Sequence, residues 1–178
     1  MSGAVSDMAF LTIDAINALT HDDFAATFGE IAEHSPWVAE GAATRRPFPN
    51  REAIIAAFEA AMRAADEAHQ LALIRAHPDL AGRAAIAGEL TADSSAEQKG
   101  AGLDTLTAVE FERFTSLNTR YKAKYHFPFI FAVKGATKDM ILAAFEARLK
   151  NSEKAEFEMA LTQIARIFRF RLEARVAE

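Results

Sequence analysis

The stretch Phe127-Pro128-Phe129-Ile130-Phe131-Ala132-Val133 decides the fold class of this chain of 178 residues. Taken alone, a dense apolar run of this length suggests one buried β-strand. A strand needs partners to form a sheet, and the rest of the sequence offers none. We therefore expect an all-α domain in which residues 127–134 form a buried extended segment packed among helices.

The sequence on both sides of this segment favours helices. Alanine, leucine, phenylalanine and glutamate dominate, while valine, tyrosine and tryptophan are scarce, a balance that favours helix over sheet. Polar residues suited to N-capping stand before apolar residues at helical spacing. The predicted helix starts lie at Thr20, Asn50, Ser94 or Ser95 (overlapping capping boxes with Glu97 and Gln98), Thr107 (with Glu110), Thr137 and Ser152.

Two stretches are expected to depart from long helices. Residues 35–49 are predicted to be irregular because they contain three prolines, which a helix interior does not accommodate. Residues 80–90 form a short alanine-rich element that two glycines interrupt. No repeat, linker or low-complexity segment divides the chain, so we expect one domain over residues 1–178.

Composition excludes several functions. The chain has no cysteine, which excludes disulfide scaffolds, thiolate metal sites and cysteine nucleophiles. A net charge of −5 argues against nucleic-acid binding, which normally needs a basic face. We find no signal-peptide pattern, no apolar run long enough for a membrane span, and no peroxisomal signal in the final Arg-Val-Ala-Glu. A cytoplasmic, bacterial protein without membrane or nucleic-acid partners is expected.

The sequence places one histidine at a helix boundary, in Arg75-Ala76-His77-Pro78-Asp79. A residue before proline is driven out of the α region, so the preceding helix should end at about His77. A histidine there can face a cleft and titrate near neutral pH; alternatively, it only caps the helix. Glu97 and Gln98 are its natural partners, unless Ser94 and Glu97 merely cap each other.

Other candidate sites have weaker support. The remaining histidines have no recognised metal-ligand spacing, so we expect no metal. Serine-hydrolase and phosphate-binding motifs are absent. Aromatic residues of the predicted helix after Thr107 are interpreted as core, and four arginines near the end of the chain as one solvated helix face. These arginines are Arg166, Arg169, Arg171 and Arg175.

Several blocks, taken in order, resemble the family of 2-oxo-4-hydroxy-4-carboxy-5-ureidoimidazoline (OHCU) decarboxylases, which act late in urate degradation. Each block is weak alone, but the ordered set is specific and covers the chain from about Phe10 to the last helix. The blocks are Trp37, Arg46-Pro47-Phe48, His77-Pro78-Asp79-Leu80-Ala81-Gly82, Leu90-Thr91-Ala92-Asp93-Ser94-Ser95-Ala96-Glu97-Gln98, Ala101-Gly102-Leu103, and the run from Leu117-Asn118-Thr119-Arg120-Tyr121 through His126-Phe127-Pro128 to Lys134-Gly135.

The resemblance implies an all-helical enzyme, usually a homodimer, that uses neither cofactor nor metal. It implies cofactor-independent decarboxylation of OHCU to (S)-allantoin, with His77 as the catalytic histidine and Glu97 as its acidic partner. The implied substrate-binding residues are Pro78, Ser94, Ser95, Ala96, Glu97, Gln98, Phe129, Ile130, Phe131, Ala132 and Val133. Two positions depart from the family: His34-Ser35 replaces a common Cys-Gly-Ser, and His126 stands where glycine is common.

Two other functions remain open at this point. One is a different acid–base enzyme on the same scaffold, acting on a related ureido or imidazoline compound. The other is a non-catalytic helical interaction module, in which His77 and Glu97 only mark helix boundaries. Substrate choice separates the first from an OHCU decarboxylase, and the absence of any turnover would identify the second.

Overall fold

Helices account for nearly all regular structure in the computed structural model, which describes residues 10–82 and 87–178. Within these residues the chain forms nine α-helices and no strand, which confirms the all-α prediction. Part of the predicted element at residues 80–90 lies outside the described residues. The helices are α1 Ile13–Ala18, α2 His21–Phe28, α3 Trp37–Ala43, α4 Arg51–Ala64, α5 Glu67–Ala76, α6 Ala92–Gly100, α7 Ala108–Tyr125, α8 Lys138–Arg148 and α9 Glu153–Glu173.

Side-chain caps fix most of the helix starts, as predicted. Each capping oxygen accepts a hydrogen bond from the backbone N–H three residues later, and Thr107 and Glu110 form the full capping box. Such a cap typically stabilises a helix by about 1 kcal/mol. The confirmed caps are Thr20, Asn50, Thr107, Thr137 and Ser152.

Helix α6 begins earlier than the sequence predicted. Its N-cap is Thr91, whose hydroxyl accepts from the backbone N–H of Ser94, so the predicted starts at Ser94 and Ser95 are wrong. Starting at Thr91 places Ser94 and Gln98, which are four residues apart, on one buried face of the helix. The predicted end near Gly100 is confirmed.

The prediction that residues 35–49 are irregular is wrong in part, because they contain α3. Pro36 stands at the N-cap of this helix, where a missing backbone N–H costs nothing. The next proline, Pro47, lies beyond the last residue of α3. Proline therefore limits this helix at both ends without preventing it, and its buried alanines pack it against α2 and α4.

The long helix α9 is the central support of the molecule. It packs against α4, α5 and α7, while α8 packs against α7. A cluster of phenylalanine rings joins α2, α4 and α9, with neighbouring ring centroids 4.8–6.4 Å apart. Its members are Phe24, Phe28, Phe58 and Phe168, all fully buried.

The segment at residues 127–133 is buried and belongs to no helix or strand, as predicted. Side chains take the place of neighbouring strands as hydrogen-bond partners. Arg148 Nη1 donates to the carbonyl of Ile130 (2.6 Å), and the backbone N–H of Ala132 donates to Gln163 Oε1 (3.0 Å). The ring of Phe129 stacks on that of Phe145 at 3.7 Å. Helices α8 and α9 therefore anchor this segment.

Candidate active site

One cavity lies where the end of α5, helix α6, the segment 127–133 and helix α9 meet. Most of the wall is apolar, and the polar groups come from α5, α6 and α9. The lining residues are His77, Pro78, Leu80, Ser94, Glu97, Gln98, Phe129, Ile130, Phe131, Val133, Ile167 and Arg171.

His77 is the C-cap of α5, as the following proline predicted. Its backbone is extended (φ −74°, ψ 140°), and its side chain is buried. The ring Nδ1 lies 2.9 Å from the carbonyl oxygen of Leu73. Because a carbonyl oxygen only accepts, Nδ1 carries the hydrogen. The other ring nitrogen, Nε2, has no hydrogen-bond partner among the described residues, so its lone pair is available to a bound molecule.

The imidazole of His77 is neutral at physiological pH. Burial lowers its pKa from the usual 6.5 to about 4, and the positive charge of Arg171 adds to this effect. The hydrogen bond to Leu73 and the negative charge of Glu33 act in the opposite direction. A neutral imidazole with its lone pair on Nε2 can accept a proton as a general base.

A buried ion-pair network forms the wall beside His77. The guanidinium of Arg171 donates through Nε and Nη2 to both oxygens of Glu97 (2.7 and 3.0 Å). Through Nη1 it donates to Glu33 Oε2 (3.0 Å) and to the carbonyl of Ile31 (3.3 Å). A fifth hydrogen bond, from Nη2, reaches the hydroxyl of Ser94. The donors of Arg171 are thus held by the protein, which fixes the planar guanidinium in one orientation.

The prediction that Arg171 belongs to a solvated helix face is wrong. Its side chain is only 3% exposed, and its bonds to the carboxylates of Glu97 and Glu33 raise its pKa against the effect of burial. Arg175 is also partly buried and forms an ion pair with Asp93. Arg169 fits the prediction better, because its partner Glu52 is exposed.

The expected contact between Glu97 and His77 is not formed. Both oxygens of Glu97 accept from Arg171, and the ring of His77 is oriented by the Leu73 carbonyl. Glu97 still lines the same cavity, with about a quarter of its side chain exposed. The structure thus places the carboxylate in the wall of the same cavity as His77, without a hydrogen bond to the ring.

Gln98 holds the loop that follows His77. Its Oε1 accepts from the backbone N–H of Ala81 (3.0 Å), and its Nε2 donates to the carbonyl of Asp79 (3.3 Å). The side-chain amide of Asn118 donates to the carbonyl of Leu80 (2.9 Å). These bonds attach the loop to α6 and α7, which keeps Pro78 in the cavity wall.

Most of the predicted substrate-binding residues meet in this cavity, but three do not line it. Ala96 and Ala132 line a larger neighbouring cleft that shares Glu97, Arg171 and other residues with the cavity. Ser95 is exposed and lies on another side of α6, because residues one position apart on a helix point about 100° apart. The predicted residues that do line the cavity are His77, Pro78, Ser94, Glu97, Gln98, Phe129, Ile130, Phe131 and Val133.

The two departures from the family pattern fall on unusual backbone positions. His34 has φ of 46° and His126 has φ of 62°, a region that favours glycine. His126 is the C-cap of α7, where a left-handed residue commonly ends a helix. Glycine would thus suit either position on conformational grounds. Neither side chain lines the cavity.

Sequence reasoning missed two residues of the site, Arg171 and Glu33. A signal for Arg171 was available, since it follows Ile167 by four residues and Phe168 by three and so falls on the buried stripe of α9. No periodic pattern marks Glu33, which lies between α2 and α3.

Within residues 10–82 and 87–178, no group of three or more histidine, aspartate or glutamate side chains is arranged to hold a metal ion. No helix in those residues combines the length and apolar character that crossing a membrane requires.

Comparisons with known proteins identify the family of this chain. The family model described as OHCU decarboxylase matches residues 17–173. The OHCU decarboxylase of Haloferax volcanii is 44% identical over 165 residues, covering 93% of this chain and 96% of that protein. The enzyme of the same name from Halalkalicoccus jeotgali is 37% identical over 166 residues, covering 93% and 92%.

The fold of the chain also resembles a solved structure. The crystal structure of an (S)-allantoin synthase superposes with a TM-score of 0.77 at 30% identity, covering 94% of this chain. This chain corresponds to 54% of that longer chain. The match of the family model over most of the sequence, with the two relatives, places the chain in the OHCU decarboxylase family.

Proposed function

We propose that this chain decarboxylates 2-oxo-4-hydroxy-4-carboxy-5-ureidoimidazoline to (S)-allantoin in urate degradation, with His77 as the proton-transferring group. Its family and the names of its relatives support the reaction. One observation carries the assignment of His77: a neutral imidazole in the cavity wall, whose Nε2 has no hydrogen-bond partner among the described residues.

The substrate can act as its own electron sink. Its hydroxyl and carboxylate share one carbon, which adjoins an imine carbon. When the bond to the carboxylate breaks, carbon dioxide leaves and the electron pair moves into the imine, whose nitrogen takes a proton from solvent. The product of this step is an enol. Because the electrons stay within the ring, we propose a reaction that needs neither cofactor nor metal.

His77 acts in the second step of this scheme. Nε2 accepts the proton of the enol hydroxyl as the carbonyl forms, and the resulting imidazolium delivers a proton to the former imine carbon. Because the imidazolium is held on one side of the ring, the proton reaches one face, which gives one enantiomer. General acid–base catalysis of this kind contributes about 10²–10⁴ in rate.

Glu97 and Arg171 supply a charged wall opposite the apolar side chains. The partly exposed carboxylate of Glu97 is the group through which this pair reaches the substrate, while Arg171 holds that carboxylate with two hydrogen bonds. We propose that Glu97 accepts hydrogen bonds from the substrate N–H or hydroxyl groups. Its role is then to orient the ring against Nε2 of His77.

The segment at residues 127–133 forms the apolar side of the proposed site. The Ile130 carbonyl and the Ala132 N–H are already bonded to Arg148 and Gln163. Successive groups of an extended chain point to opposite sides, so we assign the N–H groups of Phe131 and Val133 to the polar edge of the substrate. Both residues line the cavity.

The proposal extends to assembly and location. We propose a homodimer in the bacterial cytoplasm, on the basis of the family resemblance. Light scattering coupled to size-exclusion chromatography measures the mass in solution. A mass close to twice 19.4 kDa is expected, and a mass of 19.4 kDa would contradict the dimer.

The direct test is an assay that generates the unstable substrate from urate in the cuvette. Circular dichroism follows the appearance of (S)-allantoin with and without this protein. We expect faster formation of the single enantiomer. If the signal matches the spontaneous, racemic decay, the chain does not catalyse this reaction. Turnover of a different ureido or imidazoline compound would then identify the alternative enzyme.

A further inference from the structure

Glu33 is a buried carboxylate behind the cavity wall that the proposed mechanism does not use. Its side chain is 2% exposed, and it precedes α3 in a segment without regular helix. It accepts hydrogen bonds from three side chains: Thr91 Oγ1 (2.8 Å), Ser94 Oγ (3.0 Å) and Arg171 Nη1 (3.0 Å). We propose that Glu33 is a positioning residue of the active site, which fixes Arg171 and Ser94 and balances charge as His77 takes up a proton.

The first part of this role is geometric. Arg171 is held between two carboxylates, Glu97 at the cavity and Glu33 behind it. Ser94 donates its hydroxyl hydrogen to Glu33 and accepts from Arg171 Nη2. Without Glu33, the guanidinium of Arg171 and the hydroxyl of Ser94 lose the carboxylate to which both donate. Glu97, which depends on Arg171 for its own orientation, would then move as well.

The second part is electrostatic. Arg171 carries one positive charge, and Glu33 and Glu97 carry two negative charges, so the cluster has a net charge of −1 while His77 is neutral. Burial opposes the charged form of Glu33, whereas Arg171 and the Thr91 hydroxyl favour it, and the pKa of this carboxyl is lowered. The groups that act on the His77 charge are Glu33, which favours it, and Arg171 and His34, which oppose it. The excess negative charge is neutralised when His77 becomes an imidazolium.

The kinetic test of this proposal rests on the proposed function. A second measurement therefore does not require turnover. Glu33→Gln keeps the shape and the oxygen acceptor but removes the charge. Glu33→Asp keeps the charge on a shorter side chain. Glu30→Gln is the matched control, because it makes the same charge change on a nearby exposed side chain.

In the coupled assay we expect Glu33→Gln to lower kcat by about tenfold or more and to change KM much less, since the counter-charge matters most after His77 takes up the proton. Glu33→Asp should recover part of the lost rate, and Glu30→Gln should match the unsubstituted chain. Thermal unfolding confirms that each variant is folded. An unchanged kcat for a folded Glu33→Gln variant would overturn the role.

Nitrogen-15 NMR of the His77 imidazole between pH 4 and 7 supplies the second readout. Removing the negative charge of Glu33 should lower the fraction of protonated His77 at a given pH, whereas Glu30→Gln should not. An unchanged titration would overturn the electrostatic part. If the unsubstituted chain shows no turnover, the proposed function fails, but this titration still decides whether Glu33 acts on His77.

Discussion

Two buried clusters of arginine and glutamate share helix α9 and have different roles. In the first, Arg148 pairs with Glu156 (2.8 Å) and also bonds the Ile130 carbonyl. In the second, Arg171 pairs with Glu33 and Glu97. The first is closed, with Tyr121 and Asn151 as further partners of Glu156. The second borders a cavity and an imidazole nitrogen that has no hydrogen-bond partner in the part of the chain that the structure describes.

The difference concerns charge as well as position. One guanidinium balances one carboxylate in the Arg148 cluster, so this cluster can serve as a permanent anchor for the segment 127–133. The Arg171 cluster has one carboxylate in excess and leaves Glu97 partly exposed. Buried ion pairs contribute little net stability, but losing one partner is costly. We therefore interpret the first cluster as scaffold and the second as part of the reaction site.

The largest expected effect on stability comes from breaking the Arg148 cluster. Arg148→Ala leaves Glu156 buried without its partner, which should lower the free energy of unfolding by about 3–5 kcal/mol. Urea unfolding measures this loss. The double variant Arg148→Met with Glu156→Leu should restore much of it, because no buried charge remains unpaired. A loss below about 1 kcal/mol for Arg148→Ala would contradict the scaffold role.

The second prediction concerns the pH dependence of stability that His77, beside the Arg171 cluster, should produce. The pKa of His77 is about 4 when folded and about 6.5 when unfolded, so between these values the unfolded chain binds more protons. His77 thus contributes stability above pH 6.5 that is lost as the pH falls towards 4, about 3 kcal/mol in all.

Urea unfolding at several pH values tests this slope. His77→Asn should remove most of it, since asparagine does not titrate and its amide can still donate to Leu73. The matched control is His126→Asn, on an exposed residue with positive φ that asparagine tolerates. Equal slopes for the unsubstituted chain and His77→Asn would contradict a buried, neutral His77.

Replacing Glu97 should have a smaller effect, which we expect on activity rather than on stability. Glu97→Gln keeps one acceptor for Arg171 but removes the negative charge that faces the substrate, and we expect kcat/KM to fall by about 10- to 100-fold, or about 1.4–2.7 kcal/mol. Glu156→Gln makes the same change in the scaffold cluster. If folded, it should retain a clearly higher kcat/KM in the coupled assay. Equal losses in the two variants would remove the functional distinction between the clusters.

The smallest effects concern two helix caps. Thr107→Ala and Thr91→Ala each remove an N-cap, with an expected loss of about 1 kcal/mol in unfolding free energy. Thr107 lies outside the site, so its variant should keep its activity. Thr91 also donates to Glu33, so its variant should lose activity as well. Equal activities of the two variants would argue against a role of Thr91 in the site.

Local patterns in the sequence account for most of the fold and part of the site. N-caps such as Asn50 and Ser152, the end of α5 before Pro78, and the buried segment 127–133 follow from neighbouring residues alone. The start of α6 was missed because Thr91, Ser94 and Ser95 are all competent caps. The burial of Ser94 and Gln98 on one face of α6 favours Thr91 as the N-cap.

The charged part of the site follows from contacts between distant residues. Glu33 and Arg171 are 138 positions apart, and their contact depends on how α9 lies against the segment between α2 and α3. The sequence indicated Glu97 as the partner of His77 because both residues occur in blocks that resemble the family pattern. In the structure, the Leu73 carbonyl orients the ring because it lies one turn earlier on α5.

The most direct test of the account is the rate of (S)-allantoin formation by His77→Asn, followed by circular dichroism with the substrate generated from urate. Asparagine can keep the hydrogen bond to Leu73 but has no group equivalent to Nε2. We predict a folded variant whose signal does not exceed the spontaneous, racemic decay. Formation of the single enantiomer at the rate of the unsubstituted chain would show that His77 does not transfer the proton.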